Sequence, residues 1–90
     1  MRYRTTDKLR RKLLKIGRKD RGFFDSVEKQ LILFENNDKH PSLRNHKLLG
    51  KLDGYWSISV GMGFRMIYYV NGGEAYFVDI GTHDEVYKAN

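Results

Sequence analysis

Tyr55-Trp56-Ser57-Ile58-Ser59-Val60, then Phe64-Arg65-Met66-Ile67-Tyr68-Tyr69-Val70, then Ala75-Tyr76-Phe77-Val78-Asp79-Ile80 are the segments that decide the fold. The first alternates, with Trp56, Ile58 and Val60 on one face and Tyr55, Ser57 and Ser59 on the other, which is the period of a half-buried strand. The second has almost no polar residue except Arg65, so it belongs at the centre of a sheet with both faces covered. Gly61-Met62-Gly63 turns the chain between these two. Asn71-Gly72-Gly73 supplies residues that tolerate positive φ and joins the second strand to the third as a hairpin. Gly81 then opens a short polar tail, residues 82–90.

Upstream of Gly50 the apolar period is helical. Leu9, Leu13, Leu14 and Ile16 form one stripe, with Arg10, Arg11, Lys12 and Lys15 on the rest of the cylinder. Thr6 or Asp7 can cap its start, and Gly17 is the expected C-cap. A second helix, from about Asp20 to Asn36, repeats Phe24, Val27, Leu31 and Phe34 at three and four residues. A basic turn at Arg18 and Lys19 makes the pair a helical hairpin. His40-Pro41 keeps the following chain extended. The opening residues 1–5 alternate as a short strand. The order β-α-α-β-β-β predicts one α+β domain spanning 1–90, its N-terminal strand and two-helix hairpin packed on a twisted, mainly antiparallel four-stranded sheet.

Composition agrees with a single small core. The chain has 90 residues, 40% of them hydrophobic and 31% charged, and such a domain buries roughly 60–70% of its unfolded surface. No apolar run approaches the roughly 18 residues of a membrane helix, and no apolar stretch follows the first basic residues as a secretory leader would require. The expected location is the cytoplasm. The absence of cysteine removes disulfides, thiolate catalysis and cysteine-based metal sites together. No phosphate loop, dinucleotide fingerprint or nucleophile elbow is present, and His40 and His46 flank an extended proline segment, so neither a metal nor a cofactor is expected.

The net charge of +6 is concentrated at one end: residues 1–22 hold ten basic and two acidic side chains, while the other 68 sum to −2. A polyanion or an acidic protein suits such a field, and so does a plainly solvated helix face. Three clusters carry the candidate chemistry. Arg65, in an apolar strand, either reaches water at the sheet edge or stands on the open face to grip a phosphate bidentately. His83 and Tyr87 lie four apart, and a helical turn puts them on one face. Arg44, His46, Lys47 and Lys51 form either a solvated basic loop or a rail for RNA phosphates.

Four motifs in order, Pro41-Ser42-Leu43-Arg44-Asn45-His46-Lys47-Leu48-Leu49-Gly50-Lys51-Leu52, Gly54-Tyr55-Trp56-Ser57-Ile58, Phe64-Arg65-Met66-Ile67-Tyr68 and Asp79-Ile80-Gly81-Thr82-His83-Asp84-Glu85-Val86-Tyr87, resemble the RelE/ParE superfamily of toxins from toxin–antitoxin modules. The resemblance is to its RelE- and YafQ-like branch and covers the whole chain. It implies a metal-independent mRNA endonuclease acting at the ribosome, a monomer on its own, neutralised by an antitoxin whose acidic segment wraps it. Within it, Arg65 is implied to stabilise the phosphate, His83 to be the general acid, Tyr87 to stack on a base or orient the phosphate, and His46 to be the base or a phosphate ligand. Arg44, Lys47, Lys51, Arg10, Arg11 and Lys15 are implied to bind RNA. The chain departs from the family where Ser59 and Gly63 stand at positions of a histidine and an acid, which leaves His46 and His83 as the acid–base pair. A gyrase-binding, ParE-like toxin that cuts no RNA and a non-toxic interaction module are the alternatives.

Overall fold

The structure, a computed structural model, describes residues 1–61 and 63–89. The elements in chain order are β1 (Tyr3–Thr5), α1 (Asp7–Lys19), α2 (Arg21–Asn36), a 3-10 turn at Pro41–Leu43, β2 (His46–Lys47), a second 3-10 turn at Gly50–Leu52, β3 (Tyr55–Gly61), β4 (Phe64–Asn71), β5 (Glu74–Thr82) and α3 (His83–Ala89). The strands form one sheet in the order β1-β5-β4-β3-β2, in which β1 runs parallel to β5 and every other pair is antiparallel. The α+β class and the hairpin-on-sheet arrangement are as expected, and β4 is the central strand. The sheet has five strands rather than four. The extra one, β2, is two residues long and exposed, so it has no alternation by which to announce itself.

The helices begin and end for local reasons. Thr6 caps α1 by accepting a hydrogen bond from the Leu9 N–H at 3.2 Å. Gly17 does not end this helix, which runs on through Arg18 and Lys19, so these two are its last turn and not the link. Gly17 instead allows α2 to come close: a Cβ there would lie 3.1 Å from Cδ2 of Phe24. The link is Asp20 alone. Its N–H donates to the Ile16 carbonyl at 2.8 Å, closing α1, and its carboxylate accepts from the Phe23 N–H at 2.9 Å, opening α2.

Both faces of the sheet are covered, by cores of different size. Leu9, Leu13, Val27, Leu31 and Phe34 of the two helices meet Ile58, Val60, Met66, Tyr68, Phe77 and Ile80. The Phe34 ring stands edge-on to both Tyr68 and Phe77, at 5.1 Å from each, a preferred arrangement of aromatic quadrupoles. The opposite face carries a smaller cluster of Leu48, Leu52, Ile67 and Val86, bordered by Tyr55, Val78 and Tyr87. This second cluster is why β4 has so few polar residues.

The tail expected at 82–90 begins as the end of β5 and continues as α3. Thr82-His83-Asp84-Glu85 is a capping box, in which each end of the motif satisfies a free N–H at the other. The Glu85 N–H donates to Thr82 Oγ1 at 3.2 Å and the Thr82 N–H donates to the Glu85 carboxylate at 2.9 Å. Hydrogen bonding from the Thr82 N–H and the Thr82 side chain holds the Glu85 carboxyl below its ordinary value. Of the expected turn at residues 61–63, Met62 lies outside the described residues, as does Asn90 of the tail. Among the described residues, no helix is long and apolar enough to cross a membrane.

One ion pair fastens α1 to β5. Lys12 Nζ lies 3.0 Å from Asp79 Oδ1, and the Asp79 side chain is only 14% exposed. Burial pushes the Asp79 carboxyl up, but the bonds from Lys12 and from the Ile80 N–H, with the charges of Lys12 and Lys8, outweigh it and hold the group below its ordinary 3.8. A carboxyl depressed in the folded state contributes stability that is present above its unfolded value and lost as pH falls through the folded one. Lys12→Met is therefore expected to cost about 1–2 kcal/mol at pH 7. Denaturant titrations from pH 7 to pH 2 should show the gap between variant and wild type closing below about pH 4; a pH-independent gap contradicts the assignment.

Candidate active site

Arg65 occupies the face of β4 opposite the helices, with Ser59 as its partner in β3 and Gly81 as its partner in β5. Its guanidinium is half-buried and held by protein acceptors. Its Nε–H donates to the Ser57 hydroxyl, and Nη2 donates to the Ser57 carbonyl at 3.1 Å and to the Arg44 carbonyl at 2.9 Å. The fork of Nε and Nη2 is thus occupied by one residue, Ser57. The bidentate phosphate grip expected of Arg65 is not open on that edge. Among the described residues Nη1 takes no hydrogen bond, so its two N–H groups are the donors left for a ligand.

The Arg44 carbonyl reaches Arg65 because of an unusual backbone. Arg44 follows the 3-10 turn in the left-handed conformation, at φ 46° and ψ 44°, and is the one non-glycine with positive φ among the described residues. Such a conformation costs about 1 kcal/mol or more. Two residues on, β2 pairs His46 with Ser57, which brings the imidazole to the same point. His46 Nδ1 lies 3.0 Å from the Arg44 carbonyl and 3.2 Å from Arg65 Nη2. Nη2 has only two hydrogens, and two carbonyls accept them. A neutral His46 therefore places its proton on Nδ1, toward the Arg44 carbonyl, and keeps the Nε2 lone pair free to accept a proton.

The C-terminal helix supplies the other side. Val86 is fully buried in the smaller core, and this seats Tyr87 so that its hydroxyl donates to Ser57 Oγ at 3.1 Å. His83, one turn earlier, packs its ring edge-on against Tyr87 with centroids 4.2 Å apart. The His83 side chain is 70% exposed and its Nδ1 lies 3.8 Å from the Asp84 carboxylate. His46, Lys47, Lys51, His83 and Tyr87 all line one open cavity of about 460 Å³, together with Leu48, Leu49 and Leu52.

Of the residues singled out from sequence, Arg65, His46, Tyr87, His83, Lys47 and Lys51 are thus gathered in one place. Arg44 enters the cluster through its carbonyl, while its side chain lines a separate hollow beside Trp56 and Tyr68. Arg10, Arg11 and Lys15 belong to α1, in the layer on the other face of the sheet. Arg10 pairs with Asp7, and Arg11 and Lys15 line a groove with Lys8, Lys12, Leu14 and Arg18. Sequence reasoning missed Ser57, the one buried polar side chain among the described residues. Its signal was a small polar residue on the face of β3 that Arg65 shares. It also missed the Thr82–Glu85 capping box, which was legible. Among the described residues no group of three or more histidine, aspartate or glutamate side chains is arranged to hold a metal ion.

No protein-family model and no curated protein sequence matches the chain. Solved structures do match. A YoeB/ParE toxin from Agrobacterium tumefaciens superposes with a TM-score of 0.77 at 18% identity, covering 92% of this chain and 99% of that one. YafQ from E. coli gives 0.75 at 19% identity, covering 97% and 99%. The YoeB–YefM toxin–antitoxin heterotetramer from Staphylococcus aureus contains a chain that gives 0.73 at 15% identity, covering 92% and 97%. The likeness is one of fold, and it spans nearly the whole chain.

Two outcomes check this geometry. The nitrogen-15 shifts of neutral His46 should report a protonated Nδ1 and a bare Nε2; the reverse pattern removes the network drawn above. Gly81 is packed under α3, where a Cβ would lie 3.1 Å from Glu85 Cβ and 3.3 Å from Val86 Cγ1. Gly81→Ala should cost about 1–3 kcal/mol by overpacking and, in hydrogen exchange, loosen α3 before the rest of the chain. Unchanged protection in α3 speaks against this seating.

Proposed function

We propose that this chain, folded as the RelE/ParE toxins are, is the toxin of a toxin–antitoxin pair and acts as a metal-independent endoribonuclease on mRNA in the cytoplasm. The observation that carries the reading is that His46, His83 and Tyr87 line one cavity edged by Lys47 and Lys51, with Arg65 joined to it through His46 and through the Ser57 hydroxyl it shares with Tyr87. A phosphodiester with a neighbouring 2′-hydroxyl is the substrate for which such a set is complete. His46 Nε2 accepts the proton of the ribose 2′-OH as its oxygen attacks the adjacent phosphorus. The bond to the 5′ oxygen breaks, and His83 gives that oxygen a proton. The products are a 2′,3′-cyclic phosphate and a 5′-OH end. Arg65 Nη1 stabilises the charge that builds on the phosphoryl oxygens. Tyr87 presents its ring to the base beside the cut, and the two lysines hold the flanking phosphates.

The concentration of positive charge on α1 supports a macromolecular partner with acidic character. Ribosomal RNA and an acidic antitoxin segment both satisfy that chemistry. The antitoxin reading draws on the Staphylococcus aureus complex, in which a chain of this fold is bound to YefM. The openness of the cavity, which offers a single nucleotide step few walls of its own, supports a reading in which the ribosome places the substrate.

The deciding experiment maps mRNA 5′ ends after a brief induced pulse of the chain without antitoxin. New 5′-OH ends within translated frames are expected. Arg65→Ala should reduce them by roughly 10²–10³-fold, the scale of losing one donor at a developing negative charge, and His83→Ala by roughly 10²-fold or more. Intact mRNA with arrested growth transfers the reading to a target such as DNA gyrase. Intact mRNA with normal growth leaves an interaction module.

A further inference from the structure

We propose that Ser57 is the positioning residue of this site, fixing the direction in which Arg65 presents Nη1 and tying Tyr87 to it. Ser57 is fully buried, and its hydroxyl oxygen is shared by two site residues from different elements, accepting from Arg65 Nε on β4 and from Tyr87 OH on α3. Its carbonyl accepts from Nη2 of the same guanidinium at 3.1 Å. A planar guanidinium held through two nitrogens by one residue has lost both its translation and its rotation about the side-chain axis. Nη1 is then the projecting corner of a fixed plate.

Without the hydroxyl the carbonyl bonds of Nη2 persist, but they act on one nitrogen, about which the plate can swing. Tyr87 loses its hydrogen bond to the sheet at Ser57, and its ring carries His83 with it, because the two rings are in contact. Ser57 thus couples the phosphate donor to the acid-bearing helix while touching no substrate itself. The consequence for catalysis rests on the nuclease reading above; the mechanical coupling does not.

The test uses the full chain with Ser57→Ala, Ser57→Thr and Ser57→Cys. Two readouts are made: solvent exchange of the Arg65 Nε–H by NMR, and steady-state cleavage of ribosome-bound mRNA resolved into kcat and KM. In Ser57→Ala the Nε–H should exchange at least roughly 10-fold faster, and kcat should fall by roughly 10–100-fold, the usual scale of a misplaced group, while KM changes less than about threefold. Ser57→Thr, which keeps the hydroxyl, should restore both. Ser57→Cys, a weaker acceptor of similar size, should fall between and serves if the alanine variant does not fold. Ser57→Ala combined with Tyr87→Phe should lose little beyond the larger single loss, because both cut the same bridge. Unchanged exchange in Ser57→Ala overturns the proposal, as does a loosened Nε–H with wild-type kcat. Should the wild-type chain leave ribosome-bound mRNA intact, the nuclease reading falls and the exchange comparison alone decides: acceleration reversed by threonine upholds the coupling, and no acceleration overturns it.

Discussion

A half-buried guanidinium on the central strand of the sheet needs acceptors on its covered side, because polar groups taken from water without hydrogen bonds are costly. Much of the structure around Arg65 answers that demand. The neighbouring strand contributes both polar atoms of Ser57. The lead-in to β2 adopts a left-handed residue at Arg44 so that its carbonyl turns toward Nη2. The same carbonyl then serves His46. One half-buried charge thereby organises an edge strand, a strained residue, an imidazole and, through Ser57, a helix.

The helix depends on a separate piece of chemistry. Seven residues do not make a stable helix alone, and α3 persists because it is capped at Thr82–Glu85 and anchored by Val86. The small core that holds Val86 is built from Leu48 and Leu52 of the loop after β2 and from Ile67 of β4. The loop carrying Lys47 and Lys51 and the helix carrying His83 and Tyr87 are therefore parts of one hydrophobic unit. Catalytic-type residues 37 positions apart in sequence, His46 and His83, share a cavity because leucine and valine side chains share a core.

The positive charge divides differently. α1 bears its basic face on the side of the sheet away from Arg65, and Lys12 is tied down by Asp79. The exposed Leu14 lies among these cations, which gives the outer helical layer an apolar as well as an electrostatic character. The charged helical surface and the cavity thus lie on opposite faces of the sheet.

Periodicity alone determined the helical hairpin, the three-stranded meander and the centrality of β4, because 3.6- and 2-residue repeats record directly which face is buried. The motifs pointed to Arg65, His46, His83 and Tyr87 as members of one site. What escaped the sequence was whatever depends on contacts between distant residues. A two-residue strand has no period, so β2 was invisible. Gly17 looks like a helix stop until Phe24 is seen packed on it. Arg10, Arg11 and Lys15 match a phosphate-binding composition, but only the packing of α1 shows that they lie on the other layer. Only the tertiary structure decided that Ser57 holds the guanidinium by both of its oxygens: a lone serine in a strand says nothing of its partners until β4, β2 and α3 close around it.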